Sequence, residues 1–296
     1  MDKPPFGPGP LLAIDIGGTK LAAGVVDASG HLGCIAQRPT VGADGEALFS
    51  QLTGLIDEVL ANHRSTGGDE PVAVGVGCGG PMAAGGVTVT PLNITQWQEF
   101  PLRNRLATHT GLPTWVDNDA KALALAEGRM GAARGEPNYM AMVVSTGVGA
   151  GIVVDGRLLD GSTDNAGHLG HVVVVPDGRP CACGSRGCLE AEASGSAIAA
   201  RTGRPAAEAD EAERRRVGTL VGRAVASAVV LCDLRLACVG GSVGLGYGAT
   251  LIDAANAELA RVATIPFAKG ARVVPVGLGA DGPLLGAALV ALRHLI

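Results

Sequence analysis

Residues 11–40 read LLAIDIGGTKLAAGVVDASGHLGCIAQRPT. Two apolar runs, 11–17 and 20–27, are joined by a Gly-Gly-Thr corner, and a third, 31–40, follows the turn Ala28-Ser29-Gly30. Apolar runs bounded by such turn residues predict a three-stranded antiparallel meander. The theme returns at 139–161, YMAMVVSTGVGAGIVVDGRLLDG, as strand, glycine turn, strand. After the first meander, Leu48, Leu52, Leu55, Ile56, Val59 and Leu60 recur at helical spacing and predict an amphipathic helix over 44–63. A strand at 72–80 ending in a glycine loop, a short helix at 101–110, a strand at 114–118 and an Ala-rich helix follow. The second half continues with helices at 195–201 and 211–233 and a strand at 237–244 that runs into a glycine loop. A helix at 249–263, a strand at 272–277 and a helix at 283–295 finish the chain. Two halves that each open on a glycine-tipped hairpin and go on with alternating helices and strands predict an α/β duplication, hinged between about 119 and 138.

The chain has 296 residues, enough for about two domains at roughly 150 residues each. Lys and Arg total 23 against 28 Asp and Glu, a net charge of −5, which argues against the basic stripe of a nucleic-acid binder. Aromatic residues are 3%, too few for a platform that stacks single strands. No apolar run reaches the ~18 residues that span a bilayer, so no membrane partner is expected. Residues 1–10, MDKPPFGPGP, lack the apolar stretch of a signal peptide and read as a disordered, Pro-rich tail. A cytoplasmic, reduced chain follows, in which the 7 cysteines favour metal binding or buried thiols over disulfides.

Asp15-Ile16-Gly17-Gly18-Thr19-Lys20 lacks the spacing of a Walker A loop or a dinucleotide fingerprint. Its adjacent glycines let backbone N–H groups approach an anion, Thr19 adds a hydroxyl, and Asp15 at a strand end could hold Mg²⁺ through water. Read alone it is equally an ordinary tight hairpin. Its counterpart, Ser145 to Gly151 with Thr146, Gly147 and Gly149, raises the alternative of a clamp on a polyphosphate. Gly240-Gly241-Ser242 could pass under an adenosine or be a plain strand-to-helix turn. Asp117-Asn118-Asp119 sits where a strand hands over to a helix. An N-cap is one reading, and a general base with an orienting Asn118 is the other. Spacing alone does not choose between Asp117 and Asp119.

His171, Cys181, Cys183 and Cys188 supply one imidazole and three thiolates, a closed set that suits a structural Zn²⁺. The remaining cysteines, Cys34, Cys78, Cys232 and Cys238, lie in apolar segments and read as inert core residues.

Together, DIGGTK (15–20), NDA (118–120), STGVGAG (145–151), AGHLGH (166–171), CACGSRGCLEAEASG (181–195) and VGGSVG (239–244) resemble the ROK family of sugar kinases, over about 11–296. The resemblance implies a two-domain actin-like ATPase fold (a duplicated ribonuclease H-like α/β fold), an inter-domain active-site cleft and a structural zinc loop. It implies an N-terminal domain over 11–118 with the helix 283–296 packing back, and a C-terminal domain over 119–282 carrying the zinc loop 171–188. Asp119 then matches the catalytic base and Asn118 a sugar-hydroxyl ligand. His171 matches a residue that binds both zinc and sugar, Glu190 a carboxylate that holds sugar hydroxyls, and Asn93 a substrate-facing Asn. Gly80 falls in the family's Gly-Pro loop. Asp15, Gly17, Gly18, Thr19, Lys20, Thr146, Gly147, Gly149, Gly240, Gly241 and Ser242 fall in the nucleotide-binding segments.

The reaction so implied moves the γ-phosphoryl of ATP, with Mg²⁺, to the 6-hydroxyl of a hexose or N-acylhexosamine. One position departs: most family sugar kinases carry Glu-x-Gly-His, and here the sequence is His168-Leu169-Gly170-His171. An imidazole offers one donor and one acceptor where a carboxylate offers a charged pair of acceptors. The bacterial N-acetylmannosamine kinases are similar in this segment, so N-acetylmannosamine is the expected acceptor and glucose the alternative. A homodimer or homotetramer is implied by the family. A sugar-sensing regulator that does not turn over is a further alternative, against which the retained Asp15 and Asp119 and the absence of a helix-turn-helix speak.

Overall fold

A computed structural model describes residues 6, 7 and 9–295. The chain divides into two compact units. The first comprises the described residues up to Ala126, Asp160–Asn165 and the chain from Ala280 on, and the second Glu127–Leu159 and Ala166–Gly279.

In the first unit, β1 (Leu11–Ile16), β2 (Lys20–Val26) and β3 (Leu32–Pro39) form the antiparallel meander. Helix α1 (Gly45–Ser65) follows, capped by Asp44, whose carboxylate accepts from Ala47 N at 2.8 Å. Next come β4 (Ala73–Cys78), α2 (Leu102–Thr110), β5 (Thr114–Asn118) and α3 (Asp119–Met130). The sheet order is β3-β2-β1-β4-β5, with β1, β4 and β5 parallel.

In the second unit, β6 (Tyr139–Val144), β7 (Val148–Val154) and β8 (Arg157–Leu158) repeat the meander. Helices α4 (Leu189–Ala193), α5 (Gly195–Thr202) and α6 (Glu211–Cys232) precede β9 (Leu236–Gly240), α7 (Gly241–Val262) and β10 (Arg272–Pro275). The order is β10-β9-β6-β7-β8, with β9 parallel to β6 and β10. Numbered within each half, both sheets run 3-2-1-4-5, so the duplication read from two hairpins extends to the whole strand topology.

Helix α8 (Gly282–Leu295) packs on β1, β4 and β5 of the first unit. It is buried nearly all round, including Leu284, Leu285, Leu289 and Leu292, as a helix without a polar face must be. Each such leucine contributes roughly 2 kcal/mol. In the second unit α6 and α7 pack along one another and α7 covers β6, β9 and β10.

Three expectations are corrected, and two short elements are added. The chain over 241–248 is not a loop: α7 begins at Gly241, with non-helical backbone at Gly248 (φ 52°, ψ −132°). Glycine disfavours a helix interior by about 1 kcal/mol, and tertiary packing outweighs that propensity here. The short elements β8 and α4 were not legible as periodic runs. Cys34 and Cys232 are only partly buried, whereas Cys78 and Cys238 are core residues as expected. The expected tail falls largely outside the described residues, but Phe6 is fully buried and its N–H donates to Ala28 O at 3.2 Å. Among the described residues no helix is long and apolar enough to cross a membrane.

Candidate active site and metal centre

The strand ends of the first unit gather the acidic residues. Asp15, Gly77 and Asp117 share one rung across β1, β4 and β5. Parallel register therefore sets both carboxylates on the same side of the sheet, with a glycine between them. Burial, and after it the charge of Asp119, pushes the Asp15 carboxyl up to about 7 against the pull of Lys20. The Gly17–Lys20 corner is closed by Gly17 N donating to Lys20 O at 2.9 Å. Thr40 fastens it further, with Oγ1 to Gly17 O at 2.7 Å and N to Thr19 O at 3.0 Å. Asn93 lies against the tip: a Cβ on Gly18 would stand 2.8 Å from Asn93 Cβ. Gly80, ahead of a cis Gly80–Pro81 bond, accepts from Leu92 N at 3.2 Å, which ties the Gly-Pro loop to the Asn93 segment.

The Asp117-Asn118-Asp119 turn divides its labour. Asn118 Oδ1 accepts from Ala120 N and Lys121 N at 3.0 and 3.3 Å, so it caps α3. That leaves its amide nitrogen as the group able to face a ligand. Asp117 is spent on ion pairs, with Lys121 Nζ at 2.9 Å and Arg293 Nη1 at 3.4 Å. Burial raises its pKa despite those cations. Asp119 is half-buried beside Asp15 and accepts from Ala120 N at 2.8 Å. Lys121 is fully buried and pairs also with Asp160 at 2.8 Å, and Arg293 joins Asp160 at 3.0 Å. Burial raises the Asp160 carboxyl, but hydrogen bonds from Lys121 and Arg293 outweigh it and hold it below the usual carboxylate range. Sequence reasoning missed Thr40, Lys121, Asp160 and Arg293. Lys121 follows Asp117 by four residues, but its pairing with Asp160, that of Arg293 with Asp160 and Asp117, and the bonds of Thr40 join segments distant in the chain.

The second unit carries the other glycine hairpin. Ser145 N donates to Gly147 O at 2.9 Å across its corner, which holds Thr146, and Gly149 follows on β7. Ser145 Oγ meets Ser242 Oγ at 2.9 Å, Gly195 N donates to Ser145 O at 2.7 Å, and Ser196 Oγ donates to Thr146 O at 3.1 Å. The N-termini of α5 and α7 thus converge on this tip, an arrangement that favours a bound anion. Gly241 is required there. Its φ is +86°, and a Cβ would overlap the Val144 backbone. Gly240 ends β9 as the N-cap of α7.

The metal-ligating set is brought together. His171 Nδ1, Cys181 Sγ, Cys183 Sγ and Cys188 Sγ all lie within 4.8 Å of one another. His171 Nδ1 is 3.6 Å from Cys181 Sγ, and Cys183 Sγ is 3.7 Å from Cys188 Sγ. Zn–S bonds of about 2.3 Å in a tetrahedron give edges of roughly 3.8 Å, so the donors fit zinc in type and spacing. The loop is held by Cys181 N to Ser185 O at 2.9 Å and by Arg179 N to Glu192 Oε1 at 2.8 Å. Cys188 is the N-cap of α4, which carries Glu190, and Glu190 Oε2 accepts from Val148 N at 2.8 Å. His168 precedes the 3₁₀ turn Leu169–His171 and stacks on His171, with centroids 5.9 Å apart and planes at 19°.

The duplicated sheets, their two glycine hairpins and the Cys₃His loop define a class. The model of the ROK family matches residues 11–294, and the chain belongs to that family. It is 35% identical over 300 residues to an N-acetylmannosamine kinase of Shigella flexneri, covering 95% of this chain and 98% of that one. A glucokinase of Streptomyces coelicolor is 36% identical over 190 residues, and the chain spans only 58% of that relative's length. Among solved structures, a ROK family glucokinase from Streptomyces griseus in complex with glucose and AMPPNP superimposes with a TM-score of 0.80 at 30% identity, covering 95% of this chain and 99% of that one.

Proposed function

We propose that this chain is a sugar kinase that transfers the γ-phosphoryl group of ATP to the 6-hydroxyl of a hexose or N-acylhexosamine, with N-acetylmannosamine favoured. The observation that carries the reading is the pairing of two carboxylates at the strand ends: Asp119, half-buried at the start of α3, lies near enough to Asp15 for its charge to raise the Asp15 carboxyl. Asp119 is the base: it accepts the hydroxyl proton as the oxygen bonds to phosphorus and the bond to ADP breaks. Asn118, Asn93, Gly80, His168, His171 and Glu190 are the residues assigned to the acceptor.

The Gly17–Lys20 corner with Asp15, and Thr146, Gly147, Gly149, Gly240, Gly241 and Ser242, bind the nucleotide through backbone N–H groups and hydroxyls. Asp15 and Asp119, two neighbouring carboxylates, suit a hard dication, and Mg²⁺ held near Asp15 would neutralise phosphate charge. Zinc on His171, Cys181, Cys183 and Cys188 would be structural, fixing the loop from which His171 and Glu190 project.

The full-length match to the Shigella flexneri N-acetylmannosamine kinase supports the favoured acceptor, and the Streptomyces griseus likeness supports glucose as the second reading. The test is a coupled assay of ADP release with Mg²⁺–ATP against N-acetylmannosamine, glucose, mannose, N-acetylglucosamine, fructose and allose. Turnover with N-acetylmannosamine above the others is expected. No turnover with any of them, on zinc-loaded protein, would move the reading to a sugar-sensing regulator.

A further inference from the structure

Lys121 is an ammonium ion sealed inside the first unit, at 0% exposure. Its Nζ meets Asp117 Oδ1 at 2.9 Å, Asp160 Oδ1 at 2.8 Å and the Asp164 carbonyl at 3.4 Å. Three donors thus face three acceptors, and none of these partners lies on Lys121's own helix. Arg293 adds Asp160 Oδ2 at 3.0 Å and Asp117 Oδ2 at 3.4 Å. Two cations balance two carboxylates, so the cluster is neutral and is no anion site. It forms one wall of a cavity of about 380 Å³, lined also by Arg103, Trp115 and His294, rather than part of the apolar core.

What Lys121 joins is specific. One partner, Asp117, opens the turn that carries Asn118 and Asp119. The others begin and nearly end the segment Asp160–Asn165. Beyond Asp160 the same segment is pinned twice to the Gly-Pro loop. Gly85 N donates to Asp164 Oδ2 at 2.7 Å, and Met82 exchanges two hydrogen bonds with the Asn165 amide, at 3.1 Å to Oδ1 and 2.9 Å from Nδ2. The chain then runs, after Ala166 and Gly167, into His168. One buried ammonium therefore fixes the acceptor turn and the start of the segment that leads to the sugar-reading histidines.

We propose that Lys121 is a positioning residue: it ties the Asp160–Asn165 segment to the Asp117–Asp119 turn and so sets acceptor affinity without touching the acceptor. The proposal rests on the sugar-kinase reading, and its test is separable from it. The variants are Lys121→Met, which keeps most of the side-chain volume, and Asp160→Asn, which keeps the lysine and weakens the tether. Hydrogen exchange over 160–165, calorimetric Kd for N-acetylmannosamine and for glucose, and kcat and KM are compared with the unaltered chain.

The expected result is faster exchange at 160–165, Kd and KM raised about tenfold, and kcat within about threefold. Unchanged Kd overturns the proposal, as does weaker binding without faster exchange at 160–165. A fall in kcat alone would make Lys121 part of the chemistry and overturns it too. If Lys121→Met does not fold, Asp160→Asn decides by the same three readings. An unaltered chain that turns over no sugar is a failure of the kinase reading, and exchange and Kd still judge the tether.

Discussion

Asp15 and Asp119 face each other across Gly77, where a Cβ would stand 3.7 Å from Asp15 Oδ1 and 3.4 Å from Asp119 Cα. The glycine leaves the carboxylates close enough that burial, and then the charge of Asp119, pushes Asp15 up to about 7. An unfolded Asp titrates near 3.9. From about pH 4 to pH 7 the folded chain therefore holds a proton that the unfolded chain has lost. Its stabilising contribution is complete at the acid end and is lost as pH rises through 7. Asp15→Asn removes this dependence. The drop in Tm between pH 5 and pH 8 is expected to be smaller in the variant than in the unaltered chain by a few degrees. Equal drops would mean that Asp15 is ionised throughout.

Asp117 and Asp119 should fail in different ways. Asp119→Asn is expected to lower kcat at least ~10²-fold with Tm nearly unchanged. Asp117→Asn leaves Lys121 short of a partner and is expected to cost about 3 kcal/mol of stability, read by urea unfolding, while the folded fraction keeps most of its turnover. Near-normal kcat in Asp119→Asn would transfer the base to Asp117.

How much of this was legible depends on the range over which each feature is written. The two hairpins were readable because apolar runs and glycine corners are local, and the cysteine cluster because Cys181, Cys183 and Cys188 lie within one short loop. Lys121 was not: in Asp119-Ala-Lys-Ala it looks like a solvated charge on an Ala-rich helix. Its meaning comes from Asp160, 39 residues on, and from Arg293 on the last helix. The start of α7 was hidden for a different reason. Gly240, Gly241 and Gly244 read as a loop by propensity, and only packing on β6 and β9 makes the segment helical. Spacing also left Asp117 and Asp119 equivalent, and the ion pairs of Asp117 with Lys121 and Arg293 could not be read from it.

The Cys₃His loop offers a test by metal removal. The purified chain is expected to hold about one zinc per molecule by elemental analysis. Chelation should lower Tm by more than about 5 degrees and speed hydrogen exchange over 171–188, since a closed thiolate–imidazole site contributes folding energy directly. Cys183→Ser, at the exposed corner of the set, should reproduce the chelated state. An unchanged melt after verified metal loss would mean that the loop is held by its backbone bonds alone.

His168 is where acceptor choice is expected to reside. Its ring stacks on His171, and its backbone is fixed by His171 N donating to His168 O at 3.0 Å, so a replacement side chain starts from a fixed backbone position. Glutamate there offers two charged acceptor oxygens in place of one donor and one acceptor. A hydrogen bond to a charged group contributes about 1.5 kcal/mol or more, which is roughly tenfold in an equilibrium. His168→Glu is therefore expected to raise the ratio of kcat/KM for glucose to that for N-acetylmannosamine about tenfold. The comparison holds only if the variant keeps its zinc, because His168 touches a ligand of that site. An unchanged ratio on zinc-replete protein would show that His168 does not read the sugar, and would shift acceptor choice to Asn93 and Glu190.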